Sequence, residues 1–352
     1  MMKQTKRLIL ILMLSFMVIG VAHANEQVIT LTCLGDNIFG SNDIVSTKDY
    51  AFQRYIEKNG PTHPYLMLQS LIAEDDITLV NLEQVFNDDA PYSKSRYTFR
   101  GPVSYAALLP ANSIEVVNLA NNHSGDYGQQ GYDSTIQALK EHGIKYAGST
   151  AQGNHTAIWE KDGIKIGFVG VIPLYYKDHQ KEVAKCFEDL KEAGCQVIVA
   201  SVHAGMEYRK THGSMQDRYG NILRGLGAHL VIGHHPHVAQ GVLVKDGVTQ
   251  MYSLGNASFG GNTGVDENLH SPTSIVAQFK LHFKDDVYTG HQLTIWPIHI
   301  SSVQPENNYQ PILINGEEAQ AVMRQVQKDS RLKLNPFVDQ QGAVQDFVPW
   351  GK

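Results

Sequence analysis

Five short polar runs carry the residue types of a metal site. They are Gly35-Asp36-Asn37, Asn81-Leu82-Glu83, Ala120-Asn121-Asn122-His123, Val202-His203-Ala204-Gly205 and Gly233-His234-His235-Pro236-His237. Each closes an apolar, β-branched run of the kind that forms a strand. The last is the densest, three histidines in five residues, in a chain where histidine accounts for 16 of 352. Carboxylate, amide oxygen and imidazole together are donors for divalent zinc, manganese or iron rather than calcium, which takes oxygen alone. Asp36, Glu83, Asn122, His123, His203, His235 and His237 therefore become candidates for one site, provided the five strand ends converge. Taken singly, each run has a plainer reading. Gly35-Asp36 reads as a turn, Glu83 as a solvated strand end, Asn121-Asn122 as a helix cap and His203 as a hydrogen-bonded strand residue. The ordered recurrence of such runs at strand ends is what favours a metal site.

The elements needed to bring them together are legible as alternating patterns. Strands are expected over 28–36, 77–83, 114–123, 164–172 and 195–205, with helices over 64–76, 131–143 and 215–227. Near-continuous apolar strands separated by helices predict an α/β domain whose sheet is covered on both faces. Such sheets bind ligands outside the carboxyl ends of their strands. After residue 240 the pattern changes to hairpins, one turning at Asp246-Gly247 and another about Asp285-Asp286. A polar helix follows over 316–333, and the last 19 residues read as a loose tail.

Residues 1–24 have the form of an export signal. Lys3, Lys6 and Arg7 precede a 14-residue apolar core, and Ala22-His23-Ala24 is a small-x-small cleavage site. The core is shorter than the roughly 20 residues that span a bilayer, so a location outside the cytoplasm is expected, with membrane anchoring if the segment stays uncleaved. Cleavage after Ala24 takes the basic count from 29 to 26 against 35 acidic side chains, a balance of −9. That excess of acid argues against nucleic acid as a partner. Three cysteines, Cys33, Cys186 and Cys195, are too few for a disulfide scaffold.

The words LGDNIFG, VNLEQVF, YTFRGP, NLANNHSGDYG, VHAGMEY, GAHLVIGHHPHVAQG and YSLGNASFG occur in this order between about residues 30 and 260. Together they resemble the CapA, or poly-γ-glutamate capsule-biosynthesis, family of the calcineurin-like metallophosphatase superfamily. The resemblance implies a metallophosphatase-like β-sandwich flanked by helices in four layers, α-β-β-α. It implies a domain over 25–302, followed by a C-terminal helix and tail over 303–352. Two divalent metals (manganese, iron or zinc) would be bridged by Glu83, with Asp36 and His237 on one side and Asn122, His203 and His235 on the other. His123 would be the general acid, and Asn81, Asn121, His234 and Asn256 would support the ligands. Position 38, a histidine in the superfamily's Asp-x-His opening, is Ile38 here.

Arg100, Tyr208 and Arg209 are the side chains expected to face an anionic substrate. Three functions are consistent with this set. The first is a metal-dependent hydrolase of phosphoesters. The second is a role in making or attaching a capsule polymer such as poly-γ-glutamate, alone or within a membrane-bound synthesis complex. The third is an accessory in which metals only hold the fold. A histidine beside the ligands and not needed by them favours catalysis over the third.

Overall fold

The computed structural model describes residues 25–262 and 271–351. The proposed export signal lies outside the described residues. Among those described, no helix is long and apolar enough to cross a membrane.

The strands are β1 (Glu26–Ile38), β2 (Ile77–Leu82), β3 (Val116–Asn118), β4 (Lys145–Ser149), β5 (Asn154–Lys161), β6 (Ile164–Val171), β7 (Val197–His203) and β8 (Leu230–His234). They continue as β9 (Val242–Lys245), β10 (Val248–Met251), β11 (Asn256–Phe259), β12 (Thr273–Lys284), β13 (Val287–His299), β14 (Ile312–Leu313), β15 (Ala343–Val344) and β16 (Val348–Pro349). The long helices are α1 (Phe52–Asn59), α2 (Gly128–Glu141), α3 (Gln180–Glu192), α4 (Ser214–Leu226) and α5 (Gly316–Asp329). One hydrogen-bonded path runs β9-β10-β8-β7-β6-β5-β4-β3-β2-β1-β12-β13-β14, with β11 on β1 and both β15 and β16 on β13. The parallel strands β1 to β4 and β6, β7, β8 and β10 form two blocks joined through the antiparallel β5.

Side-chain alternation shows that this sheet curls back on itself. Ile77 and Leu79 of β2, Val197 and Val199 of β7, and Leu230 and Ile232 of β8 share one buried cluster. Their neighbours point the other way. Val80 and Leu82 join a second cluster under α1 and α2, with Phe52, Ile56, Ile136 and Leu139. Ile198, Ala200 and Val231 join a third under α3 and α4, with Phe187, Leu190 and Leu223. The first cluster is the filling between two sheet halves, and the other two seal their outer faces with helices. The architecture is thus mixed α/β, a curled sheet with flanking helices in the order α-β-β-α.

Three elements differ from the sequence expectation. The helix expected over 64–76 is a 3-10 segment, His63–Leu68, followed by one turn, Gln69–Ile72. Tyr65 within the 3-10 segment has non-helical backbone, and its N–H is shared between the Thr62 carbonyl and the Asn112 side chain. The strand expected over 114–123 is only β3, because Asn118 turns its side chain back onto the Ala120 N–H. The last residues are not a loose tail: β15 and β16 pair with β13, and Ala319, Val322, Met323 and Val326 of α5 complete the inter-sheet core. Those pairings are remote in sequence, so local polarity gives no sign of them.

One irregularity decides where the site forms. Between Cys33 and Asp36, β1 advances three residues while β2 advances two, a bulge in the ladder. Cys33 faces the inter-sheet core and Leu34 faces outward, so strict alternation would send Asp36 outward as well. The extra residue returns it to the inner side. Gly35 makes this possible: the Asp36 N–H donates to the Gly255 carbonyl at 2.9 Å, and a Cβ on Gly35 would lie 1.9 Å from that same oxygen. Gly35→Ala is expected to cost at least about 3 kcal/mol in denaturant unfolding. Gly194→Ala, strained by a φ of 81° but with open space around it, is expected to cost only about 1–2 kcal/mol. Equal losses in the two variants would remove the close-approach account.

Candidate metal centre

Strand β2 carries Asn81 on the same inward parity as Ile77 and Leu79, and Glu83 follows immediately. On the facing half, β7 ends in His203 and β8 in His234, which are register partners. The five strand ends therefore meet at the rim between the two sheet halves, where Asp36, Glu83, His203 and His237 are all buried. Asn122 is exposed and His235 half-buried, so the cluster opens to solvent on that side.

The geometry is built around two carboxylates. Oδ1 of Asp36 accepts a hydrogen bond from Asn81 Nδ2 at 2.8 Å and lies 3.4 Å from His234 Nδ1. Oδ2 accepts from the His235 N–H at 3.2 Å and faces His237 Nδ1 at 3.1 Å. Glu83 Oε2 takes a long bond from Asn81 Nδ2 at 3.3 Å. Its Oε1 takes none, standing 3.4 Å from His203 Nε2 and 4.0 Å from His237 Nε2. The Asn122 Oδ1 meets His203 Nε2 at 2.6 Å. Asn81 is fixed in this orientation because its Oδ1 accepts from Asn118 at 2.8 Å and Asn121 at 3.1 Å, which leaves its amide N–H groups for the carboxylates. Asn256 Oδ1 accepts from His237 Nδ1 at 2.9 Å, which turns Nε2 of that ring toward Glu83.

The loop bearing His235 and His237 is strained. Both residues have left-handed backbone, with φ of 97° and 57°, a conformation that costs about 1–3 kcal/mol each for such side chains. Pro236 between them is held by its carbonyl, which accepts from the Tyr208 N–H at 2.8 Å. Gly205, at a φ of 133°, lets Pro236 approach, since a Cβ there would meet its ring at 2.9 Å.

The electrostatics are those of a site short of positive charge. Burial pushes Glu83 up, and the neighbouring Asp36 pushes it further, well above the usual carboxylate range. Burial also acts to raise Asp36, but the imidazoles of His234 and His237 outweigh it and hold the group well below that range. Burial depresses His203 and His235. His237 runs against its own burial and is raised to about 9 by Glu83 and Asp36. Among the described residues no lysine or arginine pairs with either carboxylate; their ionic contacts are all with imidazoles.

These features fit divalent cations. Glu83 shares one set of donor atoms with His203 and His235 and a second with Asp36 and His237, each set spanning no more than 4.8 Å. Glu83 Oε1, His235 Nδ1, Asn256 Nδ2 and both ring nitrogens of His234 are buried without a hydrogen-bond partner, the condition of atoms arranged for ions or for their immediate supports.

His123 stands beside the cluster and is oriented from behind. Its Nδ1 contacts Asp126 Oδ2 at 3.0 Å, and its backbone N–H donates to Asn121 Oδ1 at 3.1 Å. Phe99 packs edge-on against the ring at 4.7 Å and gives its own N–H to Asp126 at 2.7 Å. With Nδ1 turned to Asp126, Nε2 of the ring is left for a second partner.

The sequence reading missed three residues here. Asp126 follows His123 by three positions, a spacing that could have been noticed. Glu207 forms a third donor set with His235 and His237 at the exposed edge, four positions after His203. Asn118, a polar residue inside an apolar strand, orients Asn81. The basic and aromatic residues expected to face substrate divide. Tyr208 packs its ring 5.9 Å from His237, and Arg209 is exposed on the same loop. Arg100 is not directed at the cluster: it is committed to Asp43 at 2.8 Å and the Ala90 carbonyl at 2.7 Å, over the Tyr127 ring. Its segment serves the site through Phe99.

The family described as bacterial capsule synthesis protein PGA_cap matches residues 30–260. This chain belongs to that family. Among similar proteins, the capsule biosynthesis protein CapA of Bacillus anthracis is 27% identical over 264 residues, 68% of this chain and 62% of the relative. The chain therefore spans less than two thirds of that protein's length. The PGA biosynthesis protein CapA of Bacillus subtilis (strain 168) is 22% identical, with 92% of this chain and 86% of the relative covered. Solved structures with similarity include a hypothetical protein from Thermus thermophilus, at TM-score 0.45 and 14% identity, covering 76% of this chain and 99% of that one. The NAD nucleotidase NadN of Haemophilus influenzae follows at TM-score 0.43 and 14% identity, covering 88% and 64%. At such distances the site argument for this PGA_cap member stands on its own residues.

Two carboxylates buried together repel unless cations intervene, which gives Glu83→Gln opposite effects in two states. With metal removed by chelator, the variant is expected to melt about 2 °C higher than wild type. With manganese added, wild type is expected to gain thermal stability and the variant to gain little. A variant destabilised in chelator and stabilised normally by manganese would contradict the arrangement.

Proposed function

We propose that the chain is an exported, dinuclear metallohydrolase that acts on an anionic substrate in capsule polymer synthesis, with poly-γ-glutamate the polymer concerned. The observation that carries the reading is Glu83: one buried carboxylate common to two donor sets, with an oxygen that accepts no hydrogen bond. In this reading Glu83, Asp36 and His237 would hold one divalent cation, and Glu83 with Asn122, His203 and His235 would hold a second. Such a pair, when bound, polarises a substrate oxygen and lowers the pKa of water for in-line attack.

The chain's own residues supply the rest. His123 holds a proton at Nε2 for the leaving group, and Asp126 fixes its tautomer and stabilises the charged ring. Asn81 and Asn256 orient the ligands, work that hydrogen-bond partners behind a metal's ligands commonly do. The left-handed loop at His235 and His237 is strain kept for that geometry. Tyr208 and Arg209 flank the mouth where an anionic group would enter. The form of residues 1–24 supports action outside the cytoplasm, at or near a membrane synthesis complex.

The test uses the purified protein with manganese, as wild type, His123→Ala and Asp126→Asn. Metal is counted, then an aryl phosphodiester and γ-glutamyl oligomers are assayed side by side. Two ions per chain are expected in all three proteins. Turnover of the accepted substrate should fall about 10²–10⁴-fold in His123→Ala, with a smaller fall and an altered pH profile in Asp126→Asn. Cleavage of the oligomer rather than the diester would assign the chemistry to an amide bond. Metal without turnover would favour a polymer-binding accessory, and absence of metal would sink the reading.

A further inference from the structure

A groove of about 500 Å³ lies between α5 and the loops that leave the metal centre. Val238 and Ala239, which directly follow His237, form one end of its lining. Lys210, two residues beyond Tyr208, forms part of its wall, and the Lys210 carbonyl accepts from Gln325 Nε2 of α5 at 2.7 Å. The loop and the helix are thereby tied into one surface that begins beside the cluster.

Its charge is unusual for this chain. Lys210, Arg324 and Lys328 all line the groove, and none of the ion pairs among the described residues includes them. The one carboxylate in the lining, Glu318, is already engaged by His299. Arg324 and Lys328 are four residues apart and so stand one turn above the other on α5. Like charges at that spacing disfavour a helix, a cost that an anion in the groove removes. In a protein with 35 acidic against 29 basic side chains, three such cations in one channel are not the surface background. A row of separated cations suits repeated, spaced negative charges better than one compact anion.

We propose that this groove holds a linear polycarboxylate as it runs away from the metal centre, with Lys210, Arg324 and Lys328 contacting successive carboxylates. The inference rests on the reading of the centre as one that acts on a capsule polymer, and it assigns α5 a part in binding that polymer. Glu318, paired with the buried His299, is the single carboxylate against three cations in the lining, so the groove's balance is positive.

The test is isothermal titration of the manganese-loaded full chain with a γ-linked glutamate decamer at low and moderate salt. Wild type is compared with the double variant Arg324→Glu/Lys328→Glu and with Lys210→Ala. The helix residues substituted are exposed, so metal content and melting temperature are expected to match wild type, as is turnover of a small aryl phosphodiester. The decamer is expected to bind wild type more weakly as salt rises. It should bind the double variant about tenfold or more weakly, and Lys210→Ala a few-fold more weakly. Equal affinity for wild type and the double variant, or no binding to wild type, would overturn the proposal. Polyphosphate of matched charge binding as tightly as the decamer would overturn the carboxylate assignment. Failure of the metal reading is seen separately, as missing metal in wild type.

Discussion

Asp36 and Glu83 are buried beside one another at the rim of the inter-sheet core, with imidazoles and amides around them and, among the described residues, no lysine or arginine paired to either. Burying one unpaired carboxylate is costly and burying two together is costlier. Much of the surrounding structure can be read as a response. Asn81 is gripped by two other asparagines so that its N–H groups point at the carboxylates. His237 is drawn toward its charged form by the same pair. The bulge after Cys33, the glycine that permits it and the left-handed turn at His235 and His237 all spend conformational freedom to keep these groups in one place.

The fold supplies the rigidity that this requires. Each half of the curled sheet is packed on both faces, by the shared core inside and by helices outside. The strand ends that carry the cluster therefore cannot swing independently. The C-terminal segment strengthens the arrangement from a distance: α5 covers an open edge of the inter-sheet core, and β15 and β16 pair with β13. Asp329 at the end of α5 accepts from the His212 and Gly241 backbone N–H groups, pinning the helix to both loops that border the groove beside the centre.

The distribution of exposure supports the proposed working site over a purely structural one. Asp36, Glu83 and His203 are sealed, whereas Asn122, Glu207 and part of His235 reach the surface. A site that served only to hold the fold would close every direction with protein donors. Here the open side faces His123, whose ring is oriented through Asp126 and Phe99 and is not needed to hold the carboxylates. His123, the charged cluster and the open mouth lie together, and the cationic groove begins at the same loop.

Residue types and the places where apolar runs end in polar ones were enough to name the strand ends, because alternation and burial act within a few neighbouring residues. From them Asp36, Glu83, Asn122, His203, His235 and His237 could be chosen before any contact was known. The direction each side chain takes was beyond that local information. Asp36 faces inward only because β1 and β2 pair with a one-residue slip, and the slip depends on Gly255, more than two hundred residues away. Arg100 looked like an anion contact until Asp43 claimed it, and the final residues looked like a tail until β13 offered an edge. His123 was visible, but the carboxylate and ring that aim it were identified only in three dimensions. Chemistry could be read from composition at strand ends because it is carried by single residues; geometry could not, because each aim is set by a partner remote in the chain.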